Sequence, residues 1–260
     1  MSTIHVPLEE TIRFIITLLR VSGIMLFAPL FSSLSIPPLI RAATAFAITL
    51  VLMPGLPVSA IPSDITMGNI AGLLMSEIMA GVIVGFAGAC VFAGMEFAGQ
   101  MISFQLGFSL INVIDPQTQV EVSVFSFIQN YIGLLLFLML NGHHWFLLAI
   151  SESFKFLPVG GAHLSTPVLQ NLLLLTGQIF SIGLRIAGPI IAISLILDIV
   201  MGMLGRAAPQ ISIMIVGMPL KLLIGFACLS FSFYFLPRYL ANLFSFLYRT
   251  LFSLIHLMAK

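Results

Sequence analysis

PVLQNLLLLTGQIFSIGLRIAGPIIAISLILDIVMGML, residues Pro167 to Leu204, decides the fold class. Across these 38 residues only Arg185 and Asp198 carry a charge. At 1.5 Å per residue an unbroken helix of that length is about 57 Å long. The hydrocarbon core of a bilayer is about 30 Å thick. A single tilted span does not absorb such an excess. Pro189 lies near the middle, where a membrane helix breaks or bends. The stretch therefore reads as a broken or kinked membrane helix, or as one that continues into a protein partner beyond the lipid.

The rest of the chain agrees. Its 260 residues are 60% hydrophobic and 7% charged, with a mean hydropathy of +1.17. A soluble domain carries about a quarter charged residues to wet its surface. Ten Lys+Arg and nine Asp+Glu cannot do that here. A soluble enzyme and a disordered chain are disfavoured, and a net charge of +1 leaves no electrostatic footprint for nucleic acid. Cys90 and Cys228 sit in apolar runs, without disulfide framework or zinc spacing. No phosphate loop, HExxH or GxSxG motif occurs. Adjacent His143 and His144 are expected on different helix faces, not as a metal pair. No enzyme activity, cofactor or metal is expected.

Further apolar stretches run from Thr11 to Phe31, Leu39 to Met53, Met67 to about Ala98, Val122 to Leu140 and Ile211 to Leu236. Gly99 to Ile114 is more polar, and Asp115-Pro116-Gln117 reads as a turn. His143 to Leu157 reads as a short interfacial piece, followed by a loop at Pro158-Val159-Gly160-Gly161. Pro219 is expected to bend the last stretch, and Pro237-Arg238 to separate it from a tail, Tyr239 to Met258. The N-terminus lacks the basic start and cleavage site of a signal peptide. The expected fold is all-α: an integral membrane helical protein with about six long, partly broken or kinked apolar helices. Lys and Arg in the loops leave its orientation open.

Two small-residue ladders lie in the third stretch. Gly68, Gly72, Ser76 and Ala80 recur every four residues, as do Gly81, Gly85, Ala89 and Ala93. Each set shares a helix face that admits another backbone, within the bundle or from a neighbouring subunit. Seven charges interrupt the apolar runs: Arg13, Arg20, Glu77, Glu96, Arg185, Asp198 and Lys221. Unpaired at a bilayer centre, each costs roughly 3 kcal/mol or more, so each is either paired across helices, snorkelled or functional. Glu77 and Asp198 have no cation within a helical turn.

The run Gly99-Gln100-Met101-Ile102-Ser103-Phe104-Gln105-Leu106-Gly107-Phe108-Ser109, followed by Asp115-Pro116, resembles the central signature of the flagellar biosynthetic protein FliR family. Asn141-Gly142-His143 with Trp145, Leu157 to Gly161, Gly205-Arg206-Ala207-Ala208-Pro209-Gln210 and Gly217-Met218-Pro219-Leu220 match in order. So does Arg20 to Pro29, and the resemblance covers nearly the whole chain as one domain, residues 1–260. It implies a fold like a FliP-like part fused to FliQ-like helical hairpins. It implies a core subunit of the flagellar type III export gate in the bacterial inner membrane, at the basal body. The implied partners are FliP, FliQ and FlhB homologues, membrane lipid, and the unfolded flagellar proteins that pass through the pore. A pore plug carried over by position covers about Gln105 to Val122: Gln105, Leu106, Gly107, Phe108, Ser109, Leu110, Ile111, Asn112, Asp115, Pro116 and Gln117 are its principal residues. The injectisome counterpart of the superfamily (SctT-like) is the nearest alternative. A small-molecule secondary transporter and a pure assembly scaffold are the rivals from other classes.

Overall fold

The structure, a computed structural model, describes residues 8–32, 36–55, 67–108, 124–208, 210 and 213–259. Most of these lie in helices: α1 (Leu8–Phe27), α2 (Pro38–Leu52) with a 3-10 turn (Met53–Gly55), α3 (Met67–Gln105), α4 (Val124–Met139), α5 (Gly142–Phe156), α6 (Thr166–Ala207) and α7 (Ile213–Met258). No strand occurs among the described residues. The fold is that of an all-α integral membrane protein. Among the described residues three helices, α3, α6 and α7, are long and apolar enough to cross a bilayer, and α4 with α5 makes a further pair bent by 66°.

Local chemistry sets these boundaries. Pro38 opens α2 at a position where a missing N–H costs nothing, because the first N–H groups of a helix have no partner. Asn141, in the left-handed region at φ 56°, turns the chain between α4 and α5. Asparagine tolerates that region better than other non-glycine residues.

Prolines do not divide the long helices. α6 runs through Pro189, and α7 runs through Pro219 and Pro237. The separate tail expected after Pro237-Arg238 is the second half of one 46-residue helix. A proline removes one backbone hydrogen bond, and membrane helices absorb that loss locally. The third stretch likewise extends beyond Ala98 to Gln105. At helical rise, α6 and α7 are about 63 and 69 Å long, twice a hydrocarbon core.

The chain forms two compact units. One gathers Met1–Cys90, Phe137–Leu175 and Phe244–Lys260; the other gathers Val91–Leu136 and Thr176–Leu243. In the first, α1 lies on the N-terminal part of α3, and Phe137 contacts Trp145, Phe146 and Phe244 edge-on. In the second, the C-terminal part of α3 meets α4 and α6. Gly99 lies against the backbone of Ser126, Gly94 against Ile182, and Phe97 stacks edge-on against Phe180. Burial is uneven. Of the most apolar window in each helix, 67% is buried for α3, 28% for α6 and 11% for α7.

Candidate functional site

In the first unit, Arg20 of α1 and Glu77 of α3 form a fully buried ion pair, Nε to Oε2 at 2.6 Å. They are 57 residues apart, so no helical spacing announces the contact. The pair holds the loop after α5. Pro158 O accepts from Gly161 N at 2.9 Å, closing a turn whose third residue, Gly160, has φ +76°. Glycine takes that conformation without steric cost. The Gly160 N–H left over by the turn donates to Glu77 Oε1 at 3.0 Å. Arg20 Nη1 donates to Leu157 O at 3.3 Å and to Ser153 Oγ at 3.4 Å. The guanidinium carbon lies 4.0 Å from the centre of the Phe154 ring, and Nη2 has no partner among the described residues. Both carboxylate oxygens are thus occupied, and a strong buried pair ties three segments together.

The ladders divide. A Cβ on Gly81 would run into Arg20 O, and one on Gly85 would lie 2.6 Å from Ile24 O. At both positions α1 of the chain itself makes the close approach, with Gly23 opposite Gly81. Ala80 is buried, Ala89 and Ala93 are half-buried, and Ser76 bonds to Leu73 O. Gly72 faces open space, and Gly68 lies in the first turn of α3.

In the second unit, α3 ends in a Schellman motif. Gly107, at φ 88°, donates to Phe104 O at 3.1 Å, and Phe108 N donates to Ser103 O at 3.0 Å. Leu106 is buried against Gly225, and Phe108 meets Phe125, which also stacks on Phe226. Gln105 Nε2 donates to Asp198 Oδ2 at 3.3 Å. Lys221 Nζ donates to both oxygens of that carboxylate at 2.8 and 2.9 Å. The start of the expected plug is thus docked on α6 and α7. Its remaining residues, Ser109, Leu110, Ile111, Asn112, Asp115, Pro116 and Gln117, lie outside the described residues.

Glu96 and Arg185 are exposed, and neither has an ion-pair partner among the described residues. The rings of His143 and His144 lie 4.2 Å apart, closer than separate helix faces suggest. Among the described residues no three His, Cys, Asp or Glu side chains gather as a metal site. Sequence reasoning missed Gly23, Ser153 and the Gly160 N–H. A signal for Gly23 lies in its small size on α1, opposite a small-residue ladder.

What these observations define is a helical membrane protein in which two internal ion pairs, Arg20–Glu77 and Asp198–Lys221, hold a loop and a helix end. Residues 11–247 match the model of a family described as bacterial export proteins, family 1. The chain is 32% identical over 238 residues to the flagellar biosynthetic protein FliR of Escherichia coli (strain K12), covering 92% of this chain and 90% of that one. It is 30% identical to the protein of that name from Aquifex aeolicus (strain VF5) over 227 residues, 85% of this chain and 86% of that one. With the one from Bacillus subtilis (strain 168) the identity is 27% over 223 residues, 83% and 84% of the two chains. The chain belongs to the FliR family of bacterial export proteins.

Proposed function

We propose that this chain is a core, non-enzymatic subunit of the flagellar type III export gate in the bacterial inner membrane, at the flagellar basal body. It forms, with FliP and FliQ homologues and in contact with an FlhB homologue, the pore through which unfolded flagellar subunits leave the cell. The observation that carries this reading is the family match over residues 11–247 together with relatives named as flagellar biosynthetic proteins. Two physical features support it. α6 and α7 are twice the length a bilayer needs, and most of their apolar windows lie uncovered by the rest of the chain. Apolar surface of that extent beyond the lipid requires partner proteins.

Co-expression of the tagged chain with FliP and FliQ homologues tests the assembly. A stable complex containing all three is expected; a chain recovered alone, free of both, overturns the reading. In that assembly Gln105 to Val122 acts as the plug, and Leu106 to Ile114 occlude the resting pore. The docking of Gln105 on Asp198 gives the plug a fixed root, and Gly107 lets the chain leave the helix at once. Deleting residues 109–114 from a correctly assembled complex raises its ion leak severalfold. An unchanged leak refutes the plug while leaving the assembly standing.

A further inference from the structure

Within the second unit, α6 and α7 carry two charged rungs that differ in one respect. At the first, Asp198 and Lys221 neutralise each other. The second lies 13 residues back along α6, about 20 Å at helical rise. There Arg185 and Tyr239 of α7 line one end of an open groove of about 620 Å³. No carboxylate among the described residues pairs with Arg185. Between the rungs the groove walls are apolar: Pro189, Ile193, Ile224 and Phe231 among them, with Ile193 and Phe231 exposed on the outer face of the helices.

We propose that this groove holds one phospholipid with an anionic headgroup. An acyl chain lies along the groove, and the lipid phosphate accepts hydrogen bonds from the Arg185 guanidinium and the Tyr239 hydroxyl. Three considerations select this occupant. An unpaired cation on an apolar helix is costly unless it reaches an anion or the interface, and a guanidinium offers only donors, in a fork that fits phosphate. Tyrosine and arginine are both suited to the headgroup level of a bilayer. The groove has the volume of a small-molecule site, and its lining runs along the helices from Arg185 to Ile193 on α6 and from Ile224 to Tyr239 on α7, a course that suits an extended acyl chain. The exposed walls at Ile193 and Phe231 leave the groove open on the outer face of the chain. The inference concerns the chain by itself and stands apart from the export reading.

The full-length protein in detergent, loaded with phosphatidylglycerol or with phosphatidylcholine of the same acyl chains, is examined by native mass spectrometry. One phosphatidylglycerol is expected to stay bound at activation energies that strip phosphatidylcholine. Arg185→Gln lowers its retention about tenfold, the loss of a charged hydrogen bond. Tyr239→Phe lowers it less, and Arg238→Gln, an exposed cation outside the groove lining, leaves it unchanged. Ala227→Trp, which fills the groove, removes it. Each variant is checked for parental helicity by circular dichroism. Equal retention of both lipids, or equal losses for Arg185→Gln and Arg238→Gln, means annular lipid only and overturns the proposal. So does undiminished retention in a helical Ala227→Trp protein. Binding of inorganic phosphate that competes with the lipid reassigns the site to a free anion. Cross-linking of Cys228, a groove residue, to a co-purified polypeptide with no lipid retained assigns it to a protein helix; either result also overturns the proposal.

Discussion

The Arg20–Glu77 and Asp198–Lys221 pairs each set a cation against a carboxylate within apolar helices, and they differ in everything around them. Both side chains of the first are 1% exposed; those of the second are 46% exposed for Asp198 and 19% for Lys221. The first is surrounded by a turn N–H, a carbonyl, a hydroxyl and an aromatic ring; the second by one amide, that of Gln105. A buried pair fixes geometry because breaking it strands a charge without water. An exposed pair contributes less wherever water or a headgroup can reach the charge left behind. The first therefore serves as a weld for the loop after α5, and the second as a releasable catch on the end of α3.

Removing half of the weld gives the largest effect. Glu77→Ala leaves the Arg20 guanidinium buried without a carboxylate, at an expected cost of about 3–5 kcal/mol. Trp145, the single tryptophan, lies in the same unit and reports its unfolding by fluorescence during denaturant titration. Cleavage by protease at 157–161 should appear at the same time. The double variant Arg20→Met with Glu77→Leu should recover part of the loss, since it removes the stranded charge but leaves the Gly160 N–H and the Leu157 carbonyl without their partners. A single variant as stable as the parent would show that the loop is held by something else.

The helix contact beneath the weld comes next. Gly81→Leu drives a Cβ into the Arg20 carbonyl, which is backbone and cannot swing away. Overpacking of this kind costs about 1–3 kcal/mol. Gly72→Leu, with nothing within 4 Å, should be silent in the isolated chain. Thermal melting read through Trp145 separates the two. Loss of complex formation with Gly72→Leu alone would mark that end of the ladder as a subunit contact. Equal melting temperatures for both variants would contradict the α1–α3 geometry.

How far the sequence reached follows from range. Membrane class and the long stretches were legible because hydropathy is local. The turn at Asn141-Gly142, the loop at 158–161 and the packing role of the glycines followed from single-residue chemistry. Pro237 misled as a helix end, since proline weakens a helix locally while the surrounding apolar medium enforces every other backbone bond. Glu77 lacked a visible partner because its cation lies on another helix. Asp198 and Lys221 carried a weaker signal: one is eleven residues before Pro209 and the other eleven after Gln210, as expected across a hairpin.

The smallest effect belongs to the catch. Asp198→Asn keeps a carbonyl acceptor for Gln105 and Lys221 but removes the charge. Half exposed, the pair should lose under about 1 kcal/mol, within the range of exposed ion pairs and of hydrogen bonds between membrane helices. Trp145 fluorescence, in the other unit, should not register the change. A local readout is needed: the rate of modification of Cys228, half-buried on α7 two turns beyond Lys221, by a small thiol reagent. A modest acceleration, under fivefold, is expected. A melting shift as large as that of Glu77→Ala would mean that solvent does not substitute at Asp198, and that the exposed pair is as structural as the buried one.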